Sequence, residues 1–362
     1  MKIIEVVQHL APGGIETLVL ELEKAYQNID HITIVSLEGQ QSKAEKQWPR
    51  LLQTKCDMVF LDKQPGLQWS VVQTLTSLFK KHKPDAIHTH HIGPLLYGGL
   101  AAKRVGIRNI VHTEHDVWHL QQSRKRYLLQ SSLLSVVKPT LVADAKYVGR
   151  ALSILFPKYK NCIIPNGIDT DKFSPGSQFQ ARSALSLPQK SGLVGCAARL
   201  VQGKGHTYLF NAMLDIPKDI HLALAGDGEL RQELEDGAEA LGLSDRIHFL
   251  GNLDNMCDFY RSLDVFCLPS EAEGLPLSPL EAQACNIPVI LTDVGGCEEA
   301  ICPDSGMLIP AKDSEALALA ISKKLLIDED KIPPRQFVAS QYSLNKAAQS
   351  YRTLMLKLGE AS

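Results

Sequence analysis

The chain alternates short apolar segments with longer amphipathic ones. The apolar segments are rich in Val, Ile and Leu and have the length of β-strands, whereas the segments between them repeat apolar residues at helical spacing. Strands this apolar are typical of parallel sheets that helices cover on both faces. The predicted strands are 2–9, 31–37, 57–62, 85–90, 109–114, 140–144 and 161–165 in the first half, and 192–199, 220–226, 247–250, 264–269, 288–292 and 306–309 in the second. The predicted helices of the first half are 15–28, 68–82, 95–105, 121–137 and 146–155.

Proline, asparagine and glycine cluster between the two series of strands. The cluster runs from Pro165 to Gly176, and polar residues continue beyond it, as expected of a linker. The sequence therefore predicts an α/β protein with two doubly wound parallel-sheet domains, 1–172 and 173–340, followed by a terminal helical segment, 341–362. Open parallel sheets bind ligands at the carboxyl ends of their strands, so the site is expected in a cleft across which the domains face each other.

The composition is that of an ordinary globular protein. The 362 residues are 44% hydrophobic and 22% charged, and no apolar run has the roughly 18 residues needed to cross a membrane. The first residues resemble a strand rather than a secretory signal. None of the eight cysteines is paired as CxxC, which indicates buried free thiols in a reducing compartment. The sequence predicts a cytoplasmic protein, and it predicts no nucleic-acid binding because no basic stripe is interleaved with aromatic residues.

Charge is divided unevenly between the two halves. Residues 1–175 carry a formal net charge of +7, and the remainder carries −9. Within the first half, Arg124, Lys125 and Arg126 precede apolar residues at helical spacing. A basic and apolar helix of this kind can lie on an anionic membrane, or it can pack on its own sheet. The first interpretation predicts peripheral contact with the inner face of the cell membrane.

Candidate site residues follow several predicted strands of the first half. Gly13 and Gly14 follow the first strand and lead into a helix, whose amino terminus favours anions. Histidines and acids follow the fourth and fifth strands, where they could bind a metal, transfer protons or simply pack. The chain contains neither a GxGxxG fingerprint nor a P-loop, which disfavours a dinucleotide enzyme or an ATPase. The candidate residues at these two strand ends are His90, His91 and Glu114, with His115 beside them.

In the second half, two cations and two carboxylates follow predicted strands. Arg199 and Lys204 suit a diphosphate, because the first offers a planar fork of donors and the second a mobile point charge. Glu273 and Glu281 lie eight residues apart across a Gly-Leu-Pro helix start. Pro276 is expected at the first helical position, where its missing N–H costs nothing, so the neighbouring amides stay free for a ligand.

Taken in order, these motifs resemble retaining nucleotide-sugar glycosyltransferases of the GT-B fold. The resemblance is to the large glycosyltransferase family 4, which includes bacterial lipopolysaccharide and mannosyl transferases. It covers the chain from about residue 2 to the end and is most specific between 160 and 310. The motifs that carry it are Gly13-Gly14-Ile15-Glu16, Pro165-Asn166-Gly167-Ile168-Asp169, Arg199…Gly203-Lys204-Gly205, Ala225-Gly226-Asp227-Gly228, Phe249-Leu250-Gly251 and the segment from Glu273 to Glu281.

The resemblance implies a role for each matching residue. Arg199 and Lys204 would hold the donor diphosphate, Glu273 would touch the transferred sugar, and Glu281 the ribose hydroxyls. His115 matches a histidine near the reacting sugar, and the final helix would cross back to the first domain. Acceptor recognition would lie in the first domain, which makes His90, His91 and Glu114 the acceptor-side candidates. The implied catalytic residues are His115, Glu273, Arg199 and Lys204. The implied donor-binding residues are Gly13, Gly14, Arg199, Lys204, Gly226, Leu250, Glu273, Gly274, Leu275, Pro276, Leu277 and Glu281.

No metal or other cofactor is expected, since Arg, Lys and helix amides can together stabilise a leaving diphosphate. The D-x-D matches at Asp169–Asp171 and Asp328–Asp330 are therefore interpreted as coincidental. Asn286 stands where the family often has glycine and is expected to end a helix in the left-handed conformation.

The expected partners are a nucleotide-sugar donor, with a UDP-sugar favoured, and a glycan or lipid-linked glycan acceptor of cell-surface polysaccharide synthesis. Two alternatives stay open at the level of sequence. One is a sugar-nucleotide epimerase or hydrolase on the same fold. The other is a non-catalytic partner subunit, which the joint presence of Arg199, Lys204, Glu273 and Glu281 disfavours.

Overall fold

A computed structural model of the chain describes residues 1–27, 29–326 and 333–360. The chain divides into two compact units, which are unit 1 (1–167 with 344–362) and unit 2 (168–343). The division after Gly167 falls five residues before the predicted boundary at 172. The reason lies in the backbone, because the N–H of Ile168 donates to the carbonyl of Tyr342 at 2.7 Å and Ile168 forms a parallel bridge with Ser343. These contacts tie the predicted linker to unit 2.

Unit 1 contains a seven-stranded parallel sheet with the order β3-β2-β1-β4-β5-β6-β7. The order reverses between β1 and β4, as in a doubly wound fold. The strands are β1 (Lys2–Val7), β2 (His31–Ser36), β3 (Asp57–Phe60), β4 (Ala86–His90), β5 (Ile110–Glu114), β6 (Thr140–Ala143) and β7 (Asn161–Ile163). The helices are α1 (Gly14–Tyr26), α2 (Gln41–Gln47), α3 (Trp69–His82), α4 (Ile92–Pro94), α5 (Leu100–Val105), α6 (Trp118–Gln121), α7 (Arg124–Val137) and α8 (Lys146–Leu155), with a 3-10 segment at Pro49–Gln53 and a π-helical segment at Leu95–Gly99.

Unit 2 contains a six-stranded parallel sheet with the order β10-β9-β8-β11-β12-β13, which reverses between β8 and β11. The strands are β8 (Gly192–Ala197), β9 (Ile220–Ala225), β10 (Ile247–Gly251), β11 (Val265–Leu268), β12 (Val289–Thr292) and β13 (Met307–Ile309). The helices are α9 (Gln178–Ala184), α10 (His206–Leu214), α11 (Arg231–Ala240), α12 (Met256–Ser262), α13 (Leu277–Ala284), α14 (Cys297–Ala300), α15 (Ser314–Leu326) and α16 (Pro334–Gln341).

The last helix, α17 (Leu344–Glu360), belongs to unit 1. One side of it is buried in the same apolar core as β1, β2 and α1, through Leu344, Ala348, Tyr351 and Met355. Polar contacts fix its register, since the side-chain amide of Asn109 donates to the carbonyl of Met355 at 2.8 Å. The unit 1 core is therefore completed by residues distant in sequence.

The prediction of two doubly wound parallel-sheet domains is confirmed, and each predicted strand is present with ends shifted by one or two residues. The predicted helix 121–137 is wrong at its start, because α7 begins at Arg124 after a separate short helix. Ser123 causes this break, since its hydroxyl accepts the N–H of Arg126 at 3.4 Å as an N-cap. Asn286 has φ 69° just beyond the end of α13, as predicted.

All eight cysteines are free thiols, and six of them are buried. In the part of the chain that the structure describes, no helix combines the length and the apolar character needed to cross a membrane.

Candidate active site

The donor candidates of unit 2 lie in loops that follow neighbouring parallel strands. Arg199 and Lys204 follow β8, and Glu273 follows β11, so the three residues are placed at the point where the strand order reverses. Such a reversal leaves a crevice at the carboxyl ends of the strands, where doubly wound folds bind their ligands. Arg199 is exposed at this edge, while Lys204 is partly covered.

Lys204 and Glu273 form an ion pair in this crevice. The Lys204 Nζ donates to Glu273 Oε1 at 2.6 Å, although the two residues are separated by 69 positions in the chain. The side chain of Glu273 is only 9% exposed and that of Lys204 is 23% exposed. A carboxylate that is nearly buried needs such a partner. The structure therefore brings together the two residues predicted to touch the diphosphate and the sugar.

Close backbone contacts hold the Lys204 and Glu273 loops in place. Gly205 has φ 75°, and a Cβ there would lie 1.9 Å from the carbonyl oxygen of Pro269. Gly295 has φ 56°, and a Cβ there would lie 1.8 Å from the carbonyl oxygen of Glu273. Only glycine fits either position, because a side chain would collide with backbone and would also be strained at positive φ. These glycines let three loops pack against one another at the crevice.

The helix that follows Glu273 begins one residue later than predicted. Helix α13 starts at Leu277, and Pro276 is its N-cap with extended backbone (φ −70°, ψ 128°) rather than its first helical residue. The ψ of Pro276 lies outside the helical range, so the first helical residue is Leu277. The segment Gly274–Pro276 is buried beside Glu273.

Glu281 lies inside α13 and is held by a residue that the motif does not contain. The hydroxyl of Tyr260 donates to Glu281 Oε2 at 2.6 Å. Burial, followed by the charge of Glu281, raises the pKa of Tyr260 well above its usual value, so the phenol keeps its proton. One carboxylate oxygen of Glu281 is thus fixed by a buried donor.

The remaining donor candidates lie at the ends of β9 and β10. Gly226 has φ 129°, and a Cβ there would lie 2.1 Å from the carbonyl oxygen of Ala198. Leu250 is partly exposed in β10. Beside it, the Arg231 guanidinium lies 5.1 Å from the centre of the Phe249 ring, a cation–π contact.

In unit 1, the first candidate pair lies at the amino terminus of α1. Gly13 is the N-cap and Gly14 the first helical residue. The Glu16 carboxylate folds back over this turn, because a Cβ on Gly13 would lie 2.3 Å from Glu16 Oε2. Glu16 is buried and lies 3.3 Å from His9 Nδ1. Burial raises the pKa of Glu16 above its usual value, against the opposing charge of His9.

His90 and His115 take part in one buried network at the ends of β4 and β5. His90 Nδ1 lies 3.0 Å from His115 Nε2, and His90 Nε2 lies 3.0 Å from Glu5 Oε2. His115 Nδ1 lies 2.9 Å from Asp144 Oδ2. Both ring nitrogens of His115 are therefore bonded to protein, and only 7% of the residue is exposed. His88 is also buried, and its Nδ1 atom is bonded to Glu5.

His91 and Glu114 belong to a second cluster beside the first. His91 Nδ1 lies 3.1 Å from Glu114 Oε2, and Glu114 Oε1 accepts from Gln130 at 2.7 Å and lies 2.9 Å from His112 Nε2. His91 alone of the three acceptor-side candidates reaches the surface, since its side chain is 26% exposed whereas His90 and Glu114 are buried. His90 and Glu114 can therefore act only through their neighbours in this structure.

The hydrogen bonds within this second cluster determine the charges of His91 and Glu114. Burial alone would lower the pKa of His91. The hydrogen bond to Glu114 and the charge of Glu114 outweigh burial, and the charges of Asp116 and Asp144 add to their effect. The pKa of His91 is therefore raised to about 9. Burial would raise the pKa of Glu114, but His112 and His91 hold it well below the usual range. His91 is thus a cation at neutral pH, held in place by a buried carboxylate.

Among the residues that the structure describes, two groups of side chains could hold a metal ion by their spacing. Glu5, His88 and His90 are one buried group, and the other is His91, Asp116 and His119, each group offering atoms within 4.8 Å of one another. The first has no exposed member, and the Nδ1 atom of His119 in the second already pairs with Asp116 Oδ1 at 2.7 Å. The absence of a metal requirement stays a prediction.

The D-x-D match at Asp169–Asp171 forms part of a turn. Asp169 Oδ1 accepts the N–H groups of Asp171 and Lys172 at 3.1 and 3.0 Å, so it stabilises a turn. The match at Asp328–Asp330 lies outside the described residues.

Sequence reasoning missed Glu5, Asp144 and Tyr260. A signal existed for Glu5, because a single acid interrupts the otherwise apolar segment of β1, where an unpaired charge would be costly. A similar signal existed for Asp144, which directly follows the apolar strand β6. Tyr260 gave no signal, since a tyrosine in an amphipathic helix is an ordinary core residue.

Comparison with known proteins identifies the family of the chain. The model of the family described as Glycosyltransferase Family 4 matches residues 12–172, and that described as Glycosyl transferases group 1 matches residues 177–339. The lipopolysaccharide core biosynthesis mannosyltransferase LpsB of Rhizobium meliloti (strain 1021) is 32% identical over 257 residues, which are 68% of this chain and 70% of the relative. The UDP-Gal:alpha-D-GlcNAc-diphosphoundecaprenol alpha-1,3-galactosyltransferase of Escherichia coli is 28% identical over 280 residues, 72% of this chain and 70% of the relative.

Solved structures show the same fold. The Anabaena protein Alr3699/HepE in complex with UDP-glucose superposes with a TM-score of 0.85 at 21% identity, covering 99% of this chain and 100% of that one. A glycosyltransferase from Rickettsia africae gives a TM-score of 0.84 at 21% identity, covering 100% and 99%. The fold is therefore GT-B, and with a relative at 32% identity the chain belongs to glycosyltransferase family 4 and is a glycosyltransferase.

Proposed function

We propose that this enzyme transfers a sugar, with retention of anomeric configuration, from a nucleotide-sugar donor to a glycan or lipid-linked glycan of cell-surface polysaccharide synthesis. A UDP-sugar is the favoured donor. The observation that carries the proposal is the Lys204–Glu273 pair at the strand-order reversal of unit 2, with Arg199 exposed in the same loop as Lys204. A cation and a carboxylate side by side suit a substrate that is anionic at one end and a neutral sugar at the other.

The chemistry of transfer explains why both charges are needed. As the oxygen of the acceptor hydroxyl bonds to the anomeric carbon, the bond from that carbon to the diphosphate oxygen breaks and its electron pair leaves with the diphosphate. The proton of the acceptor hydroxyl passes to the leaving diphosphate. Negative charge grows on the leaving group, where Arg199 and Lys204 stabilise it. Positive charge grows on the sugar ring, where Glu273 stabilises it. Glu281 holds the ribose, and the amides at the start of α13 add to the binding of anions.

In this proposal the unit 1 residues serve the acceptor and the transferred sugar. His91 presents a fixed positive charge at the surface, and His115 lies beside it, with ring centres 5.5 Å apart. The assignment of Gly13 and Gly14 to the donor phosphates rests on the resemblance of their motif and on the anion preference of a helix amino terminus.

The choice of donor and acceptor draws on the relatives. LpsB is named as a mannosyltransferase of lipopolysaccharide core synthesis, and the Escherichia coli relative uses UDP-galactose and a diphosphoundecaprenol acceptor by its name. The Anabaena structure contains UDP-glucose. A UDP-sugar donor and a lipid-linked acceptor therefore lead the proposal, and a GDP-sugar is the next donor to test.

Contact with an anionic membrane fits a lipid-linked acceptor, and α7 is the segment proposed for it. Arg124, Lys125 and Arg126 are exposed in its first turn, and Leu128 and Val136 are each 53% exposed. Cations at a helix amino terminus oppose the helix dipole, so their presence there does not serve the stability of α7. A peripheral enzyme on the inner face of the membrane would use both features.

A transfer assay tests the proposed function. Purified enzyme is given UDP-glucose, UDP-galactose or GDP-mannose with and without a diphosphoundecaprenol-linked sugar, and the product is analysed by NMR for its anomeric configuration. We expect acceptor-dependent release of nucleotide and a product with the donor's anomeric configuration. The Lys204→Gln variant should lose activity. The control is Lys190→Gln, which should keep activity, because Lys190 is an exposed lysine that precedes β8 rather than following it. Release of nucleotide without any glycosylated acceptor would instead favour a hydrolase or epimerase.

A further inference from the structure

Four buried side chains in unit 1 form a continuous series of hydrogen bonds that includes the candidate residue His115. This series, here termed the buried relay, consists of Glu5, His90, His115 and Asp144. Its three contacts measure 3.0, 3.0 and 2.9 Å, from Glu5 Oε2 to His90 Nε2, from His90 Nδ1 to His115 Nε2, and from His115 Nδ1 to Asp144 Oδ2. At most 7% of any member is exposed. Water therefore does not compete for these contacts.

The relay starts at an ionised carboxylate. Burial would raise the pKa of Glu5, but the charge of His88 and hydrogen bonds from His88 and His90 outweigh it and lower that pKa to about 2. His88 Nδ1 lies 2.9 Å from Glu5 Oε2, and His88 Nε2 lies 2.8 Å from the Thr113 hydroxyl. An ionised carboxylate only accepts hydrogen bonds, so the nitrogen of His90 that faces Glu5 must carry a proton.

This requirement determines the tautomer of His90. Burial and the neighbouring charge of His88 lower the pKa of His90 to about 3, so the ring is neutral and carries one proton. That proton is on Nε2, where Glu5 accepts it, and Nδ1 is left as an acceptor. The atom facing Nδ1 is His115 Nε2 at 3.0 Å. His115 must therefore be protonated on Nε2.

The remaining nitrogen of His115 shares one proton with Asp144. Burial raises the pKa of Asp144 against the opposing charge of His115, so this carboxyl holds a proton more readily than an exposed one. Asp144 Oδ2 also accepts from the side-chain amide of Asn166 at 2.8 Å, while Oδ1 is buried without a hydrogen-bond partner among the described residues. Whichever of the two atoms carries the shared proton, the His115–Asp144 pair has no net charge and His115 Nε2 keeps its own proton.

We propose that Glu5 and His90 are positioning residues for sugar transfer, which fix His115 as the form protonated on Nε2 and hold its ring in one orientation. The consequence for transfer rests on the proposed function, in which His115 lies at the reacting sugar. The other charged and titratable groups that face the relay include His88, His91 and Glu16, together with the buried Tyr26 and Tyr351. None of them contacts His90 Nδ1 or His115 Nε2 among the hydrogen bonds of the described chain, so the relay is the route by which Glu5 acts on His115.

NMR of the full chain with nitrogen-labelled histidine tests the relay directly. Two-bond proton–nitrogen spectra distinguish the two neutral tautomers and the doubly protonated ring, and substitution of single histidines assigns the signals. In the wild-type protein we expect His90 protonated on Nε2 alone and His115 protonated on Nε2. Wild-type His90 with its proton on Nδ1 would overturn the proposal without any variant.

Glu5→Gln provides the perturbation, because its amide can donate to His90 Nε2 and so allow the other tautomer. We expect the proton of His90 to move to Nδ1 and His115 Nε2 to lose its proton. Asp144→Asn is a second variant that perturbs the opposite end and should leave the proton on His90 Nε2. Thr89→Val is the matched control, since Thr89 is equally buried on the same strand but bonds His112 at 2.9 Å instead of the relay. It should leave the His90 and His115 signals in place.

Kinetics complete the test. Glu5→Gln should lower kcat about tenfold and leave the donor KM within about twofold, since the relay acts on the reacting end of the site rather than on donor binding. Unchanged His90 and His115 signals in Glu5→Gln would overturn the proposal, and so would a changed tautomer with unchanged kcat. A wild-type enzyme that transfers no sugar to any acceptor would refute the proposed function instead, while the spectra would still decide the relay.

Discussion

Lys204 Nζ and Glu273 Oε1 are 2.6 Å apart, so the cation proposed for the diphosphate and the carboxylate proposed for the sugar are bonded to each other in this structure. A donor that reaches Lys204 must therefore exchange this ion pair for phosphate contacts. The released Glu273 carboxylate then stands in a nearly buried position with no cation of its own. It is stabilised again only when positive charge develops on the sugar ring, which is how a carboxylate can favour the transition state over the ground state.

The first prediction follows from that exchange. Glu273→Gln should lower kcat by roughly two orders of magnitude, equivalent to about 3 kcal/mol, and should change donor KM much less. Glu271→Gln is the matched control, because Glu271 lies two residues away in the same loop and pairs with Lys312 at 2.8 Å. Steady-state kinetics with the true acceptor measure both. A Glu273→Gln enzyme with near-native kcat would contradict the assignment of this residue.

The second prediction concerns Tyr260, the residue that the motif did not contain. Tyr260→Phe removes the buried hydroxyl that donates to Glu281 Oε2 and should raise donor KM about tenfold, since a hydrogen bond to a charged group is worth about 1.5 kcal/mol. The proposed contact of Glu281 with the ribose would be equal in ground and transition states, so kcat should stay within about twofold. Tyr208→Phe, which removes a hydroxyl 3.5 Å from Glu271, serves as the control. An unchanged KM would show that Glu281 does not need Tyr260.

The third prediction compares two glycines. Gly295→Ala places a Cβ 1.8 Å from the carbonyl oxygen of Glu273 at positive φ, so the Glu273 loop must move and both stability and kcat should fall. Gly237→Ala lies within α11 with no atom within 4 Å of the new Cβ, and it should raise stability by about 0.5–1 kcal/mol with unchanged activity. Urea denaturation and kinetics on the two variants separate a local effect on the crevice from a general effect of losing glycine.

Much of the fold could be predicted because it depends on local patterns. Apolar strands alternate with amphipathic helices throughout, and this periodicity alone indicated both parallel sheets. The start of α7 was missed because an N-cap serine competes with continued helix, and only the observed Ser123 contact shows which outcome prevails. The boundary at 167 was missed because Ile168 pairs with residues near 342, a contact that no local pattern contains.

The site was predicted in part for the same reason. Arg199, Lys204 and Glu273 lie in loops after strands, where position along the chain indicates position at the sheet edge, and Glu281 lies in the helix that follows the Glu273 loop. The burial of His90 and Glu114 was not predicted, because it depends on how β4 and β5 pair with their neighbours and on the covering helices. The same holds for Glu5, whose partners His88 and His90 follow more than 80 residues later.

A fourth prediction concerns pH. The pKa of His91 is raised from 6.5 to about 9 in the folded protein, so its pairing with Glu114 contributes stability that is fully present below about pH 6.5 and is lost as the pH rises through about 9. The wild type should therefore lose up to about 3 kcal/mol of unfolding free energy between these pH values relative to His91→Gln. Urea denaturation of both proteins across this range measures the difference. Parallel curves would indicate that folding does not raise the pKa of His91.

The last prediction tests the proposed membrane contact of α7. Exchanging Arg124, Lys125 and Arg126 for glutamate should weaken binding to vesicles of phosphatidylglycerol by more than about 100-fold, since each cation near an anionic surface is worth about 1 kcal/mol. Binding of the wild type should weaken with added salt, and donor affinity should be unchanged in the variant.

The helix dipole makes this experiment decisive, because it separates lost binding from lost structure. Acids in the first turn of α7 should stabilise it by about 0.3–1 kcal/mol each, so the variant should melt no earlier than the wild type. The control exchanges Lys80 and Lys81 for glutamate. Both lysines are exposed in the last turn of α3, where cations stabilise the helix through its dipole. That control should melt earlier and still bind vesicles. Binding that survives the α7 exchange and high salt would mean that this helix does not dock the enzyme, and the exposed Leu128 and Val136 would then require another explanation.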